Sequence, residues 1–424
     1  MRTKISLAAI IFFLSLNFSF AQWIQQNSGT NINLNRIQFV NSQTGWAGGF
    51  QAIPVYYMLI KTTNAGISWT DQRPNLPTGN RILSLFFIDA NTGWIAGADG
   101  FFKTTNGGAS YFTLTSPSII CNDVYFVNPL TGWVTGLTGS NGKLDKTTDG
   151  GSTWITQAIS IPQNEQLYSL HFENSLTGWG AGGTSIIKTT DGGTSWTTQS
   201  HPSCTGITCV NAVSSDIAWV SGNNGIILST TNGGSIWTAN NVGYSYTVFS
   251  VFFINSSTGF SVTGPSKIFK TTNGGTNWYT QLTDTSTNRF NCVYFKSNDT
   301  GYVSGSQGKI YKTINAGGTI GIKEINENIP DKYDLFQNYP NPFNPTTRIR
   351  FQIADFRFQI KNNNKTTLKV FDITGREIQA LVNELLSPGT YEVTFDGSNL
   401  PSGIYFYQLR SGDFVESKKL ILIK

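Results

Sequence analysis

The sequence predicts an all-β protein in which a seven-bladed β-propeller precedes a small β-sandwich. A nine-residue phrase such as KTTDGGTSW, at residues 188–196, occurs seven times between residues 22 and 320. Its Asp or Asn recurs at intervals of 41 to 43 residues, which is the length of one four-stranded propeller blade. A second phrase, TGW or a variant, recurs seven times in register with it. Aromatic residues make up 13% of the chain and charged residues 12%, which favours short strands and tight turns.

The N-terminal segment, residues 1–21, reads as a signal peptide. Arg2 and Lys4 precede an apolar run from residue 5 to residue 20, and small residues stand at the two positions that a signal peptidase recognises. We therefore expect cleavage after Ala21 and no membrane span in the mature chain.

Each round of the repeat predicts three strands, an Asp-box turn and a fourth strand. In the turn, the Asp or Asn side chain can accept backbone hydrogen bonds, and the glycines supply positive φ. The Trp that follows is expected to pack over the turn, so we interpret these positions as structural fasteners within blades. They are Asn64, Asn106, Asp149, Asp191, Asn232, Asn273 and Asn315.

The pattern T-x-[DN]-x-G-x-[ST]-W resembles the Asp-box of bacterial neuraminidase repeats. Together, the TGW and KTT phrases resemble the propellers of the photosystem II stability and assembly factor family. The resemblance covers nearly all of residues 22–320 and implies a propeller fold. In the sialidase relatives the Asp-boxes lie at the blade periphery, away from catalysis.

The seventh repeat lacks its Trp, because Ile320 stands in that place. The mature chain, however, would open with Trp23-Ile24-Gln25-Gln26, which resembles Trp154-Ile155-Thr156-Gln157. We therefore predict that the N-terminal strand completes the last blade through Trp23 and closes the ring.

The C-terminal part follows a different pattern. Residues 321–332 are charged and unpatterned, which predicts a linker. Residues 333–424 contain proline-rich and alternating segments typical of a small sandwich. The phrases NYPNPFNPTT, FDITGRE, LPSGIYFYQL and KKLILIK resemble the C-terminal sorting domain of type IX secretion, an immunoglobulin-like module. The resemblance implies that residues 333–424 bind the type IX secretion machinery. It also implies that the protein is secreted or attached to the outer cell surface, with the sorting module cleaved or retained.

Three arginines stand near the starts of predicted first strands in neighbouring blades. Arg36, Arg81 and Arg289 could form an anion or sugar-acid site, because guanidinium groups hold carboxylates bidentately. Counted back from the TGW glycine, Arg81 and Arg289 fall at position 12 and Arg36 at position 9. Strand alternation would then turn Arg36 to the opposite face, which argues against a common site.

A glycosidase would need paired carboxylates. Asp123 and Glu165 are the best placed candidates, but neither has a partner at a recognisable spacing. We find no nucleophile elbow, phosphate loop or HExxH motif.

The remaining chemistry-bearing residues predict little. Cys204 and Cys209 share one loop and could form a disulfide, with two buried thiols as the alternative, and the states of Cys121 and Cys292 stay open.

Only two histidines occur and neither stands in a ligand motif, so we expect no metal and no cofactor. In residues 22–320, 14 Lys and Arg oppose 12 Asp and Glu, a net charge of +2, which predicts no nucleic-acid partner.

The sequence therefore predicts a monomeric, exported propeller that acts as a non-enzymatic binding or scaffolding module for an extracellular glycan or protein. The alternative is a glycoside hydrolase, sialidase-like or xyloglucanase-like, acting at the mouth of the channel.

Overall fold

The structure is a computed structural model that describes residues 23–51, 56–76, 81–98, 100–115, 118, 120–314, 316, 323–326, 330–354, 366–384, 386, 388–397 and 400–424. The predicted signal peptide and Asn315 lie outside these residues. The chain divides into two compact units, Gln22–Ile322 and Lys323–Lys424. In the part that the structure describes, no helix has the length and apolar character that a membrane crossing requires.

The first unit is a propeller of seven four-stranded antiparallel sheets. Blades 1 to 6 are β2–β5, β6–β9, β10–β13, β14–β17, β18–β21 and β22–β25, and blade 7 has the order β26-β27-β28-β1 from the inside outwards. The strands are β1 (Ile24–Gln26), β2 (Arg36–Phe39), β3 (Gly45–Gln51), β4 (Tyr56–Thr62), β5 (Thr70–Asp71), β6 (Ile82–Phe87), β7 (Gly93–Gly97), β8 (Phe101–Thr104), β9 (Phe112–Leu114), β10 (Ile120–Phe126), β11 (Gly132–Thr138), β12 (Asn141–Thr147), β13 (Ile155–Thr156), β14 (Ser169–Phe172), β15 (Gly178–Gly182), β16 (Ser185–Thr189), β17 (Thr197–Thr198), β18 (Cys209–Ala212), β19 (Ala218–Ser221), β20 (Ile226–Thr230), β21 (Thr238–Asn241), β22 (Val248–Phe253), β23 (Gly259–Thr263), β24 (Lys267–Thr271), β25 (Tyr279–Thr283), β26 (Phe290–Phe295), β27 (Gly301–Gly305) and β28 (Ile310–Thr313). Short 3₁₀ turns occur at Arg73–Asn75, Asn223–Gly225 and Ser306–Gly308.

Ring closure by the N-terminal strand is confirmed. β1 pairs antiparallel with β28, with Ile24 opposite Lys312 and Gln26 opposite Ile310. The Trp23 side chain is 2% exposed and meets Phe260 and Phe295 edge to face, with ring centroids 6.0 and 5.9 Å apart. Trp23 therefore fills the place that the missing Trp of the seventh repeat leaves open.

Aromatic stacking explains why the TGW phrase recurs. Trp46 of blade 1 stacks on Phe87 of blade 2 with ring centroids 3.7 Å apart and an angle of 5° between the planes. Tyr302 of blade 7 stacks on Phe39 of blade 1 in the same way, at 3.7 Å. Trp69, the Asp-box Trp of blade 1, meets Phe39 edge to face at 5.9 Å. One Phe thus packs against its own blade and the preceding blade at once, which couples neighbouring blades.

The Asp-box turns have the hydrogen bonding that the sequence predicts. At Asp191 the carboxylate accepts the Ser195 hydroxyl at 2.6 Å and the Ser195 N–H at 2.9 Å. The hydroxyl and backbone N–H of the residue four positions on lower the pKa values of Asp149 and Asp191 to about 2. In four further turns the carboxamide oxygen accepts the equivalent backbone N–H, at Asn64, Asn106, Asn232 and Asn273.

The Asp-boxes also connect blades, which the sequence did not predict. The lysine of the KTT phrase reaches the Asp-box of the next blade: Lys146 Nζ donates to the carbonyl of Gly192 at 2.7 Å, and Lys188 Nζ to that of Gly233 at 2.9 Å. The same ammonium group lies over the TGW tryptophan of its own blade, 4.5 Å from the ring centroid of Trp179 for Lys188. The residues of the repeated phrase therefore bond neighbouring blades to each other and also stabilise the turn within each blade.

The second unit is a sandwich of two four-stranded sheets, ordered β29-β34-β31-β30 and β33-β32-β35-β36. The linker predicted at residues 321–332 was wrong for residues 323–326, because β29 pairs with β34 and belongs to the sandwich. Buried Phe351, Val393 and Tyr407 lie between the sheets. The strands are β29 (Lys323–Asn326), β30 (Asp334–Leu335), β31 (Thr346–Ile353), β32 (Thr366–Phe371), β33 (Glu377–Glu384), β34 (Gly389–Asp396), β35 (Gly403–Ser411) and β36 (Phe414–Leu422).

The proline-rich phrase covers the C-terminal end of the free edge of β36. Phe343 N–H donates to the carbonyl of Ile421 at 2.9 Å, and Ile423 N–H donates back to Phe343 at 3.0 Å. Asn341 Oδ1 accepts the N–H of Ile421 at 2.9 Å. An uncovered edge strand would invite pairing with other chains, so these bonds protect β36. They also explain why NYPNPF and KKLILIK occur together in this module.

Candidate functional site

The two ends of the propeller differ in loop length. Loops between the first and second strands contain five residues in every blade: 40–44, 88–92, 127–131, 173–177, 213–217, 254–258 and 296–300. Asp-box loops contain seven residues in blades 1 to 6, at 63–69, 105–111, 148–154, 190–196, 231–237 and 272–278. At the other end, the loops between blades range from 5 to 12 residues, at 27–35, 72–81, 115–119, 157–168, 199–208, 242–247 and 284–289. We call this the variable end, and it is where a ligand site can differ from a generic propeller.

The central channel is lined by the innermost strand of every blade and encloses about 340 Å³. Two rings of side chains face the channel. Each inner strand contributes one residue to each ring, and the residue between those two, such as Ile37, belongs to the hydrophobic core. The first ring lies nine positions before the residue that opens the second strand: Arg36, Ser84, Asp123, Ser169, Cys209, Ser250 and Cys292. The second ring lies seven positions before it: Gln38, Phe86, Tyr125, His171, Asn211, Phe252 and Tyr294.

Most of the first ring is occupied in holding the next blade. Ser169 Oγ accepts the N–H of Val210 at 3.2 Å, and Ser250 Oγ accepts that of Val293 at 3.3 Å. The Cys292 thiol donates to the carbonyl of Ile37 at 3.9 Å, a sulfur hydrogen bond across the closure between blades 7 and 1. These side chains therefore have a structural use.

The second ring also links neighbouring blades. Its side chains bond the backbone of the residue that follows the second-ring position in the next blade. Tyr125 and Tyr294 donate their hydroxyls to the carbonyls of Phe172 and Phe39, each at 2.8 Å. His171 bonds the backbone of Ala212, and burial lowers the pKa of His171 to about 4. It is therefore a neutral structural imidazole at pH 7.

Arg36 and Asp123 form an ion pair in the channel. Arg36 Nη2 lies 3.1 Å from Asp123 Oδ1, and the two side chains are 23% and 9% exposed. Asp123 also accepts the Ser84 hydroxyl at 2.6 Å and the Leu170 N–H at 2.8 Å. Burial alone would lower the pKa of Arg36, but Asp123 raises it above its usual value. The carboxylate is thus committed to a cation and two hydrogen bonds.

Glu165, the second candidate acid, does not meet Asp123. It accepts the Thr184 hydroxyl at 2.6 Å, the Thr184 N–H at 2.9 Å and the Ser185 hydroxyl at 3.1 Å. Burial would raise its pKa, but these hydrogen bonds outweigh burial and lower it, which is opposite to the requirement for a general acid. Among the described residues that line the channel, Asp123 is the single carboxylate.

The three candidate arginines do not share a site. Arg36 faces the channel, whereas Arg81 and Arg289 are absent from the described channel lining, which agrees with the argument from strand alternation against a common site. Arg289 lies over Phe249, 5.1 Å from its ring centroid. The inner strands of blades 2 and 7 have a bulge between positions 11 and 9, whereas the strand that carries Arg36 pairs without a bulge.

The cysteines are buried free thiols, so the Cys204–Cys209 disulfide is not formed. Cys204 packs among Trp179 and Ile207, whereas Cys209 packs with Trp219 in a separate cluster. Burial raises the pKa of Cys204 to about 11. In the described residues, no group of three or more His, Cys, Asp or Glu is arranged to hold a metal ion.

Comparison with known families agrees with this architecture. Residues 337–424 match the secretion system C-terminal sorting domain, and residues 111–245 match the photosynthesis system II assembly factor YCF48. The chain is an Asp-box propeller with a secretion-system sorting domain. The sorting domain indicates secretion and attachment to the outer cell surface, and it implies an interaction with the type IX machinery. A comparison with curated proteins finds no match.

Solved structures show the same fold at low identity. A YCF48 bound to D1 peptide has a TM-score of 0.57 and 18% identity, covering 69% of this chain and 95% of that one. PorZ, a surface component of the type IX secretion system of Porphyromonas gingivalis, has a TM-score of 0.55 and 14% identity, covering 94% of this chain and 60% of that one. The GH74 enzyme of Niastella koreensis has a TM-score of 0.54 and 14% identity, covering 95% of this chain and 75% of that one.

Proposed function

We propose that the propeller is a non-enzymatic binding module displayed outside the cell, with its ligand held by loops of the variable end. The observation that carries the proposal is the state of Asp123. This carboxylate is held by Arg36, Ser84 and Leu170, and no second carboxylate lines the channel among the described residues. A glycosidase needs two carboxyl groups about 5 to 10 Å apart across the scissile bond.

Three further observations favour binding over hydrolysis. Glu165 has a lowered pKa and local partners, so it is not poised to donate a proton. The loops of the variable end differ in length while the opposite end is uniform, which is the distribution expected of a recognition surface on a fixed scaffold. A related propeller fold has been solved with a bound peptide, which supports a binding role for such a scaffold.

The test is a comparison of binding with turnover on the purified mature chain. We expect signals on a glycan array or in a pull-down of surface proteins, and no release of dye from a panel of chromogenic glycosides. Asp123→Asn and Glu165→Gln serve as matched variants. Hydrolysis by the wild type that either variant abolishes would overturn the proposal in favour of a glycoside hydrolase.

A further inference from the structure

Two cavities open at the variable end, one on each side of loop 27–35. The first, about 390 Å³, lies towards blade 7 and is lined by Gln26, Asn27 and Gln307 among others. The second, about 510 Å³, lies towards blade 1, where Asn31 and Tyr56 line it. Thr30 lines both cavities, so the two cavities adjoin on either side of this residue. We call the pair the seam cleft, because it lies where the ring closes.

The seam cleft is preorganised. The carbonyl of Thr30 packs so closely on Gly308, which has φ +68°, that a Cβ there would lie 1.9 Å from its oxygen. Asn33 Oδ1 accepts the N–H of Gln307 at 3.1 Å, and Thr30 Oγ1 accepts the N–H of Ile32 at 3.1 Å. Loop 27–35 and the hairpin between β27 and β28 are thus fixed to each other, which reduces the entropy lost when a ligand binds.

The polar groups of the seam cleft are carboxamides and hydroxyls. The side-chain amides of Asn31 and Gln307 are exposed and have no hydrogen-bond partner among the described residues. Gln307 is also held at φ +58°, a conformation that favours glycine. A carboxamide offers a donor and an acceptor side by side, which matches neighbouring hydroxyls on a sugar ring.

The charges of the seam cleft are already neutralised. Arg73 forms a bidentate contact with Asp71, at 2.6 Å for Nη2 to Oδ2 and 3.1 Å for Nε to Oδ1. Lys309 Nζ lies 3.7 Å from Asp284 Oδ2 and donates to Gln25 Oε1 at 3.3 Å. An anionic ligand would have to displace these carboxylates, so the chemistry favours an uncharged ligand.

We infer that the seam cleft binds a neutral oligosaccharide, with one sugar in each cavity and the chain crossing Thr30. Tyr56 is 52% exposed at the second cavity and offers an aromatic face on which the C–H face of a sugar can pack. The carboxamides of Asn31 and Gln307 hold the hydroxyls. This inference rests on the proposed binding function and names its ligand class and site.

The test uses the full mature chain and an array of neutral tetrasaccharides (glucan, mannan, galactan and xylan) beside sialylated and uronic-acid glycans. Calorimetric titration then gives Kd for the best neutral binder. Gln307→Gly removes the amide but suits the positive φ, and should weaken binding at least tenfold. Asn224→Gly is the matched control, because Asn224 has φ +58° and is exposed in the equivalent hairpin of blade 5. It should leave Kd within twofold.

A second pair of variants tests the aromatic face. Tyr56→Ala should weaken binding at least tenfold, whereas Tyr56→Phe, which keeps the ring, should stay within threefold. Kd should also change less than twofold between 50 and 500 mM NaCl, because no ion pair is made. Glycan binding that Gln307→Gly and Tyr56→Ala leave unchanged would overturn the site while the binding function stands. Preference for acidic glycans, or a protein ligand alone, would overturn the ligand class, and hydrolysis would overturn the proposed function itself.

Discussion

Replacing Trp23 by Ala should destabilise the whole propeller, although Trp23 only precedes the short outermost strand of one blade. The side chain is 2% exposed and packs against Phe260 of blade 6 and Phe295 of blade 7. Truncating a buried Trp to Ala removes its transfer free energy and leaves a cavity, which costs about 3–5 kcal/mol. A domain of this size should then melt about 5–8 °C lower.

The assay is denaturant and thermal unfolding of the purified chain, followed by tryptophan fluorescence and circular dichroism. The control is Ile24→Ala in the same strand, because Ile24 is 50% exposed and its backbone pairing with Lys312 is kept. Ile24→Ala should cost less than about 1 kcal/mol. Trp23→Phe should recover part of the loss, since an aromatic ring can still meet Phe260 and Phe295.

The reasoning fails if Trp23→Ala and Ile24→Ala unfold at the same denaturant concentration. That outcome would mean that β1 contributes only backbone pairing, or that the ring is stable when open. It would also remove the reason for interpreting the missing Trp at Ile320 as a sign of closure.

Three other predictions concern the channel and the sorting domain. Asp123→Asn leaves the charge of Arg36 without a counter-ion and should lower the free energy of unfolding by about 3 kcal/mol, and adding Arg36→Met should restore most of that loss. If the single variant unfolds at the same urea concentration as the wild type, the ion pair is contradicted. His171 has a pKa lowered from 6.5 to about 4, so it contributes stability above pH 6.5 that is lost as the pH falls from 6.5 through 4, because the unfolded chain takes up the proton first. His171→Gln should flatten the plot of unfolding free energy against pH in this range, and plots that stay parallel for wild type and variant would refute the prediction. Removing residues 323–424 should leave the propeller in the periplasm by cell fractionation and immunoblotting, and normal secretion of the truncated chain would count against the sorting assignment.

The fold could be predicted from the sequence because each blade repeats the same contacts. Trp at the TGW position stacks on a Phe of the next blade, and the KTT lysine bonds the next Asp-box, so both phrases must recur at blade spacing. The missing Trp at residue 320 identified the closing strand for the same reason. Sequence periodicity is informative here because the energetics are periodic.

The residues that line the channel were not recognised as a set, although the sequence holds a signal for them. Counting nine residues back from each residue that opens a second strand gives Arg, Ser, Asp, Ser, Cys, Ser and Cys, all of which line the channel. We compared the arginines at positions 12 and 9 instead and did not follow position 9 around the ring. The bulges in blades 2 and 7 leave no mark in a single sequence, so the faces of Arg81 and Arg289 could not be deduced from alternation. The pairing of Arg36 with Asp123, two blades away, also depends on side-chain reach rather than on spacing.

The location of the ligand site follows from what the repeated residues are already doing. Channel side chains link blades, Asp-box residues close turns, and the KTT lysines join one blade to the next. A ligand that displaced any of these groups would have to replace a contact that holds the ring together. Loop 27–35 differs, because its free carboxamide at Asn31 and that of Gln307 opposite are not used by the fold. Recognition can therefore change there without loss of stability, which is why the seam cleft, rather than the channel, is the site to test first.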